Sequence, residues 1–304
     1  MLGEIFYWIF NMSIAATLCM IPVLLIRLFK KIPRRIFILL WLVPFVRMCI
    51  PVGISSKCGI MALLSKFTTK TVTIVNMGDD SALTMMNHVM GANSYFPITY
   101  KVNLLDDLFH IASVVWLIVI LAAILTLTII YFITLGEMKD AQKLKDNIYI
   151  SDKIKTPAVY GIIKPKIILP TEYNANRLDF ILMHEKAHLK RKDNFIRFLA
   201  LIVVCVHWFN PFAWLLLKML YSDIELACDE TVLSKCNETE RKEYAYTLLL
   251  TAEKINVFAV SFGGSKIRIR IENILSYKKI SYFSIAAFSA LIMAICYILL
   301  TNAS

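Results

Sequence analysis

The sequence predicts a mainly α membrane protein in which four transmembrane helices carry one cytosolic α+β domain. Three observations predict this. Apolar residues make up 58% of the 304 residues and the mean hydropathy is +0.65, well above what a soluble domain shows. Four apolar runs, Ile5 to Leu28, Ile36 to Ile54, Phe109 to Leu135 and Tyr282 to Leu300, are each near the length of about 20 residues that a hydrocarbon core about 30 Å thick requires. Between the third and fourth runs the pattern changes to short strands and amphipathic helices. The chain therefore divides into a three-helix membrane region at 1–135 with an outside loop at 55–108, a cytosolic domain at 136–280, and a last membrane helix at 281–304.

The first run is read as a retained helix, because Glu4 stands where a signal peptide is basic and no small-x-small cleavage site follows. The connection after it carries Arg27, Lys30, Lys31, Arg34 and Arg35 without an acid, so it is placed in the cytosol and the N-terminus outside. In the next segment Lys57, Lys66, Lys70 and Lys101 are balanced by Asp79, Asp80, Asp106 and Asp107, as an outside loop allows. The third helix returns the chain to the cytosol, where Lys266, Arg268, Arg270, Lys278 and Lys279 follow. The fourth leaves both termini outside. The net charge of +11 then reads as a topology signal and a contact with anionic membrane lipid, not as direct nucleic-acid binding. Seven cysteines without a C-x-x-C pair read as free thiols.

Within the cytosolic domain, Asn147 to Ser151 and Pro157 to Pro170 predict strands, with Lys164-Pro165 as the turn of a hairpin. An edge strand beside a cleft can hold an extended peptide backbone by strand addition. The next segment, His184-Glu185-Lys186-Ala187-His188, puts two imidazoles one turn apart on a helix face, where both reach one tetrahedral Zn2+. Zinc lowers the pKa of a coordinated water towards about 7, and Glu185 is placed to take its proton.

A catalytic zinc usually has three protein ligands. Glu225 supplies the third in this reading, with Asp229 one turn on orienting a histidine. Cys228 between them is read as a small buried residue, since a fourth protein ligand would leave no place for water. The apolar stretch from Phe195 to Tyr221 is long enough for one crossing, yet a single crossing would separate His188 from Glu225. Asn210-Pro211 breaks it near the middle, and Asp193 is expected to cap a new helix. Two arms of about 16 and 15 residues, roughly 24 and 22 Å long, then form a helical hairpin that returns Glu225 to His188. His207 falls at the tip, about 20 Å from the metal, as a packed histidine.

Gly161 to Pro170, His184 to Asp193, His207 to Pro211 and Glu225 to Asp229 resemble, in order and spacing, the bacterial BlaR/MecR-type membrane metallopeptidases, the beta-lactam sensor-transducers and their relatives. The resemblance runs over essentially the whole chain. It implies a gluzincin-like zinc protease domain with His184, His188 and Glu225 as ligands, Glu185 as general base, and Asp229 in support; Asp193 joins the expected supporting residues. It also implies a pathway in which an outside signal activates the protease, a DNA-bound repressor is lost and a resistance gene is expressed. Ala259-Val260-Ser261-Phe262 followed by Gly263-Gly264 reads as an accessible segment, and the resemblance places self-cleavage there, around Ser261 and Phe262.

One departure stands out. The penicillin-binding domain that follows the last helix in the beta-lactam receptors has no counterpart before the sequence ends at Ser304. The expectation is a sensor-less relative, a sensor on a separate protein, or a shortened chain, with a homodimer as a further partner arrangement. Beta-lactam sensing is not assigned to these residues. Two other readings stay open, an HtpX-like membrane-protein quality-control protease and a non-catalytic scaffold stabilised by zinc.

Overall fold

The computed structural model describes residues 2–29, 32–50, 103–154, 156–162, 164–171, 178–253, 267–278 and 281–300. It is mainly helical. The first two helices are Leu2–Arg27 (α1) and Arg34–Cys49 (α2), and the third is Asn103–Glu137 (α3). After the strands come Leu178–Arg191 (α4), Asp193–Val206 (α5), Pro211–Leu233 (α6) and Glu238–Glu253 (α7), and the last helix is Tyr282–Leu300 (α8). A further helical segment covers 267–275. Among the described residues three helices are long and apolar enough to cross a membrane, namely α1, Leu108–Glu137 of α3, and α8. The expected second run yields the shorter α2 of 16 residues, about 24 Å long, and residues 51–54 that were expected to extend it lie outside the described residues.

Helices α1, α2, α5, α6 and α8 share one core, in which Phe37, Leu40 and Trp41 of α2 meet Leu216, Leu220 and Ile224 of α6. Small residues at Ala15, Ala16, Ala200 and Ala213, all buried in that core, let the backbones approach closely. The α5–α6 hairpin therefore lies among the membrane helices. Its turn is closed by Asn210, whose side chain accepts from the Phe212 N–H at 2.9 Å with Pro211 at the first helical position. The same Asn210 amide donates to Ser13 Oγ at 2.7 Å and to Thr17 Oγ1 at 2.9 Å on α1. His207 is buried, as expected for a packed tip residue, and its Nε2 lies 3.1 Å from the Met48 carbonyl. Met48 is the last residue but one of α2, so the hairpin tip reaches the far end of that helix.

One expectation at the base of the hairpin is corrected. Asp193 does not cap α5; the capping position is Lys192, in the left-handed region at φ 56° and without a side-chain cap bond. Asp193 is the first helical residue, and its carboxylate is drawn instead to His188, a stronger partner than a backbone N–H because the bond to a ring cation is charge-assisted.

The C-terminal end of α1 and the N-terminal half of α2 are tied to α6 by carboxylates. Asp223, completely buried, accepts from Arg27 Nε and Nη2 at 3.0 Å each and from Trp41 Nε1 at 2.8 Å. Glu230 accepts from the Arg34 and Arg35 backbone N–H groups at 2.8 and 3.1 Å. These are orphan donors of the α2 N-terminus, whose capping residue Pro33 makes no side-chain cap bond. A residue on another helix thus does the work of an N-cap.

The sheet has four strands, Gln142–Lys145 (β1), Ile148–Ser151 (β2), Ala158–Tyr160 (β3) and Lys166–Pro170 (β4), in the order β1-β2-β4-β3. The expected hairpin is β3–β4, antiparallel with Val159 opposite Ile167. Gly161 enters its turn at φ +92°, and a Cβ there would stand 3.1 Å from the Lys164 carbonyl oxygen, so only glycine fits without strain. β1 was not foreseen, because its four residues are all exposed and show no alternation. The middle of β4 packs inward, with Ile167, Ile168 and Leu169 at or below 1% exposure.

Asp223→Ala leaves the Arg27 guanidinium and the Trp41 indole without their shared acceptor. It is expected to destabilise the protein by about 3 kcal/mol, whereas Trp41→Phe, which removes one neutral donor, costs about 1 kcal/mol. Thermal unfolding in detergent measures both, and equal effects would contradict the central place given to Asp223.

Candidate metal centre

Helix α4 puts His184 and His188 on one face, and their Nε2 atoms are 3.1 Å apart. The Glu225 carboxylate on α6 closes the triangle, with Oε2 at 3.6 Å from His184 Nε2 and Oε1 at 3.6 Å from His188 Nε2. Donors bound at about 2.0–2.1 Å in tetrahedral geometry are separated by about 3.3 Å. The three side chains are therefore at the spacing that one ion demands.

The partners behind the rings settle which nitrogens face the centre. Asp193, fully buried, takes the Nδ1–H of His188 at 2.6 Å. On the other ring, Tyr244 OH lies 2.8 Å from His184 Nδ1 and donates to Asp229 Oδ1 at 2.6 Å. The hydroxyl's one hydrogen is thus committed to Asp229, so it accepts from Nδ1–H. Once the rings are neutral, both Nε2 atoms present their lone pairs to the centre. Two lone pairs at 3.1 Å repel unless a cation or proton lies between them, and this fits a metal.

Charge around the centre is dense. Arg270 forks onto Asp229 with Nε and Nη2 both at 2.7 Å, and its Nη1 lies 3.2 Å from Glu225 Oε2. Arg197 Nη2 donates to Glu225 Oε1 at 2.5 Å. Burial disfavours charge on His188, yet its bond to Asp193 and the neighbouring Cys228 thiol raise it to about 9. His184 is raised well above the usual range too; burial opposes this and Tyr244, Cys228 and Asp229 outweigh it. Asp229 falls to about 2, because Arg270 overcomes the effect of burial.

Cys228 is buried as expected, and a donor atom of its side chain falls within 4.8 Å of those of both histidines. Glu225 is the other candidate for the third position. Its oxygens lie 3.6 Å from the two ring nitrogens, and the Cys228 thiol donates to the His184 carbonyl at 3.3 Å. Glu185, also buried, lines the same cavity of about 250 Å³ as the two histidines and Glu225. Pro157 and, on the outer strand β3, Ala158 and Val159 form one wall, and Thr247 and Leu248 of α7 contribute to another. Ser261 and Phe262 lie outside the described residues.

Sequence reasoning missed Tyr244, Arg197 and Arg270. None belongs to a spaced motif: Tyr244 looks like one aromatic of an ordinary helix, and Arg270 was absorbed into the basic, cytosolic charge count. The one available signal was electrostatic, since two acids proposed to be buried on one helix require positive partners.

Two results are expected from metal analysis of the purified protein. Glu225→Ala lowers divalent-metal affinity more than about tenfold while Cys228→Ala leaves it unchanged; the reverse would transfer the third position to the thiol. Because His188 holds its proton up to about pH 9 in the metal-free state, binding must displace that proton. With His184 raised as well, affinity rises by at least about tenfold per pH unit between pH 7 and 9, and proton release on metal addition measures it.

A family model described as BlaR1 peptidase M56 matches residues 7–274. Among curated proteins, the "Regulatory protein BlaR1" of Bacillus licheniformis is 35% identical over 102 residues, covering 33% of this chain and 17% of the relative. The "Methicillin resistance mecR1 protein" of Staphylococcus aureus is 29% identical over 164 residues, covering 47% of this chain and 28% of the relative. The "Regulatory protein BlaR1" of Staphylococcus aureus is 27% identical over 169 residues, covering 50% and 29%. The matched part is thus less than a third of each relative's length. The matching model spans most of α1, all of α2 and α3, the hairpin and the whole candidate metal centre, and on that extent the chain belongs to the BlaR1 peptidase M56 family.

Proposed function

We propose that this protein is a membrane-embedded zinc endopeptidase that transmits a signal by regulated proteolysis. The observation that carries this reading is the convergence of His184 Nε2, His188 Nε2 and the Glu225 carboxylate at 3.1–3.6 Å, with Glu185 on the same cavity. His184, His188 and Glu225 hold the ion, which when bound supplies a Lewis acid and a water whose pKa lies near 7. Glu185 takes a proton from the attacking water and returns it to the leaving amine. Asp193 and the Tyr244–Asp229 pair keep both histidines in the tautomer that faces the centre. Arg270, with Nη2 3.4 Å from His184 Nε2 and Nη1 3.2 Å from Glu225 Oε2, is a positive group at the centre that favours developing negative charge there. The outer strand β3 accepts the substrate backbone in extended form.

In this reading α1, α2, α3 and α8 cross a bacterial cell membrane as four spans, the 136–280 domain is cytosolic, and both termini are outside. The hairpin enters the bundle and returns. The names of the relatives, a regulatory protein and a methicillin resistance protein, favour a place in antibiotic-resistance signalling. The substrates are then a cytosolic transcriptional repressor and the chain itself, cut near Ser261 and Phe262. A separate sensor protein, or a second copy in a homodimer, delivers the signal.

Glu185→Gln keeps the ligands and removes the base, so it is expected to retain metal and lose peptidase activity by roughly 100-fold or more. Used as a substrate trap, it is expected to hold one repressor-like protein; capture of many misfolded membrane proteins would favour quality control, and unaltered behaviour of cells carrying it would favour a scaffold. Wild-type membranes are expected to contain a fragment ending near Ser261 that the variant lacks. Topology has its own check: a cysteine placed at position 237 of a cysteine-free variant is expected to label from the cytosol, and labelling from outside would overturn the hairpin.

A further inference from the structure

A second cavity, of about 670 Å³, opens on the other side of His188, at the corner between α4, α5 and the β3–β4 hairpin. Lys164, Lys166 and Lys192 line it, and no described lining residue is acidic. All three lysines are exposed, and the Lys166 ammonium rests over the Tyr149 ring at 4.5 Å, which holds its head in place. Phe195 lines the cavity too and begins an apolar row on α5. Phe195, Leu199 and Ile202 are 44%, 46% and 39% exposed, and their spacing puts them on one helix face. The opposite face of α5, at Ala200 and Val204, is buried in the helical bundle.

A concentrated positive cavity leading into an uncovered apolar row on a helix of a membrane bundle has the two-part chemistry of an anionic phospholipid. The phosphate neutralises lysines that would otherwise repel one another, and an acyl chain covers a helix face that water would solvate poorly. A free anion would use the lysines and leave the row untouched. We propose that this corner is a binding site for one anionic phospholipid, with its headgroup among Lys164, Lys166 and Lys192 and an acyl chain along Phe195, Leu199 and Ile202. This site does not depend on the peptidase reading. It adjoins the metal centre because His188 lines both cavities.

The test titrates the full-length chain in a neutral detergent with phosphatidylglycerol, phosphatidylcholine and glycerol 3-phosphate, and reads bound molecules by native mass spectrometry. One phosphatidylglycerol per chain is expected, with phosphatidylcholine and glycerol 3-phosphate each at least about tenfold weaker. Changing Lys164, Lys166 and Lys192 together to Gln is expected to abolish the preference for phosphatidylglycerol, whereas the same change at Lys139, Lys143 and Lys145 leaves it intact. Leu199→Ser with Ile202→Ser weakens the lipid and leaves glycerol 3-phosphate unaltered. Equal retention of the two lipids, an undiminished preference in the triple variant, or glycerol 3-phosphate binding as tightly as the lipid would each overturn the proposal.

Discussion

A carboxylate taken out of water is tolerated only when a positive group or several donors meet it, and α6 carries four carboxylates within eight residues. Each is met from a different direction. Asp223 is held by Arg27 and Trp41 of the first two helices, and Glu230 by the backbone N-terminus of α2. Glu225 and Asp229 face the two histidines and share Arg270. The helix therefore serves as a common rod to which the membrane bundle, the histidine-bearing α4, the following α7 and the 267–275 segment are all fastened. Moving α6 by one turn would unpair all four charges at once.

The same pairing explains where the candidate centre sits. Glu225 lies two residues beyond Asp223, which is fastened to Arg27 at the end of α1 and to Trp41 of α2. In the proposed topology this places the metal centre close to the inner membrane surface, reached by protein in the cytosol and by the membrane helices through α6. A rearrangement of α1 against α2 would strain the Arg27–Asp223–Trp41 and Glu230 contacts, and these act on the helix that also carries Glu225. The coupling is a matter of contiguous hydrogen bonds, and the equilibrium it biases is a property for measurement.

Local spacing made much of the arrangement readable. Histidines four apart share a helix face whatever the surroundings, an Asn-Pro break divides an apolar run, and equal arms bring their ends together. Other parts had no local signature. β1 is four exposed residues with no alternation. Only the capping expected of Asp193 was misjudged, because a short polar residue before a helix usually caps it, and the fold instead sets its carboxylate on His188 with Lys192 at the capping position. Tyr244, Arg197 and Arg270 lie 60, 13 and 86 residues from His184 along the chain and belong to no motif, so nothing short of the packed structure assigns them to the centre.

What the sequence by itself determined was the apolar segments, the returning hairpin and the identity of the donor groups, all consequences of periodicity and of the backbone limits of proline. What only the tertiary structure decided was compensation: which guanidinium neutralises which acid, which hydroxyl sets a ring's tautomer, and that a glutamate on α6 caps α2. These depend on desolvation and on distances across elements far apart in the chain. Such terms are set when the chain is packed, and a linear pattern does not contain them.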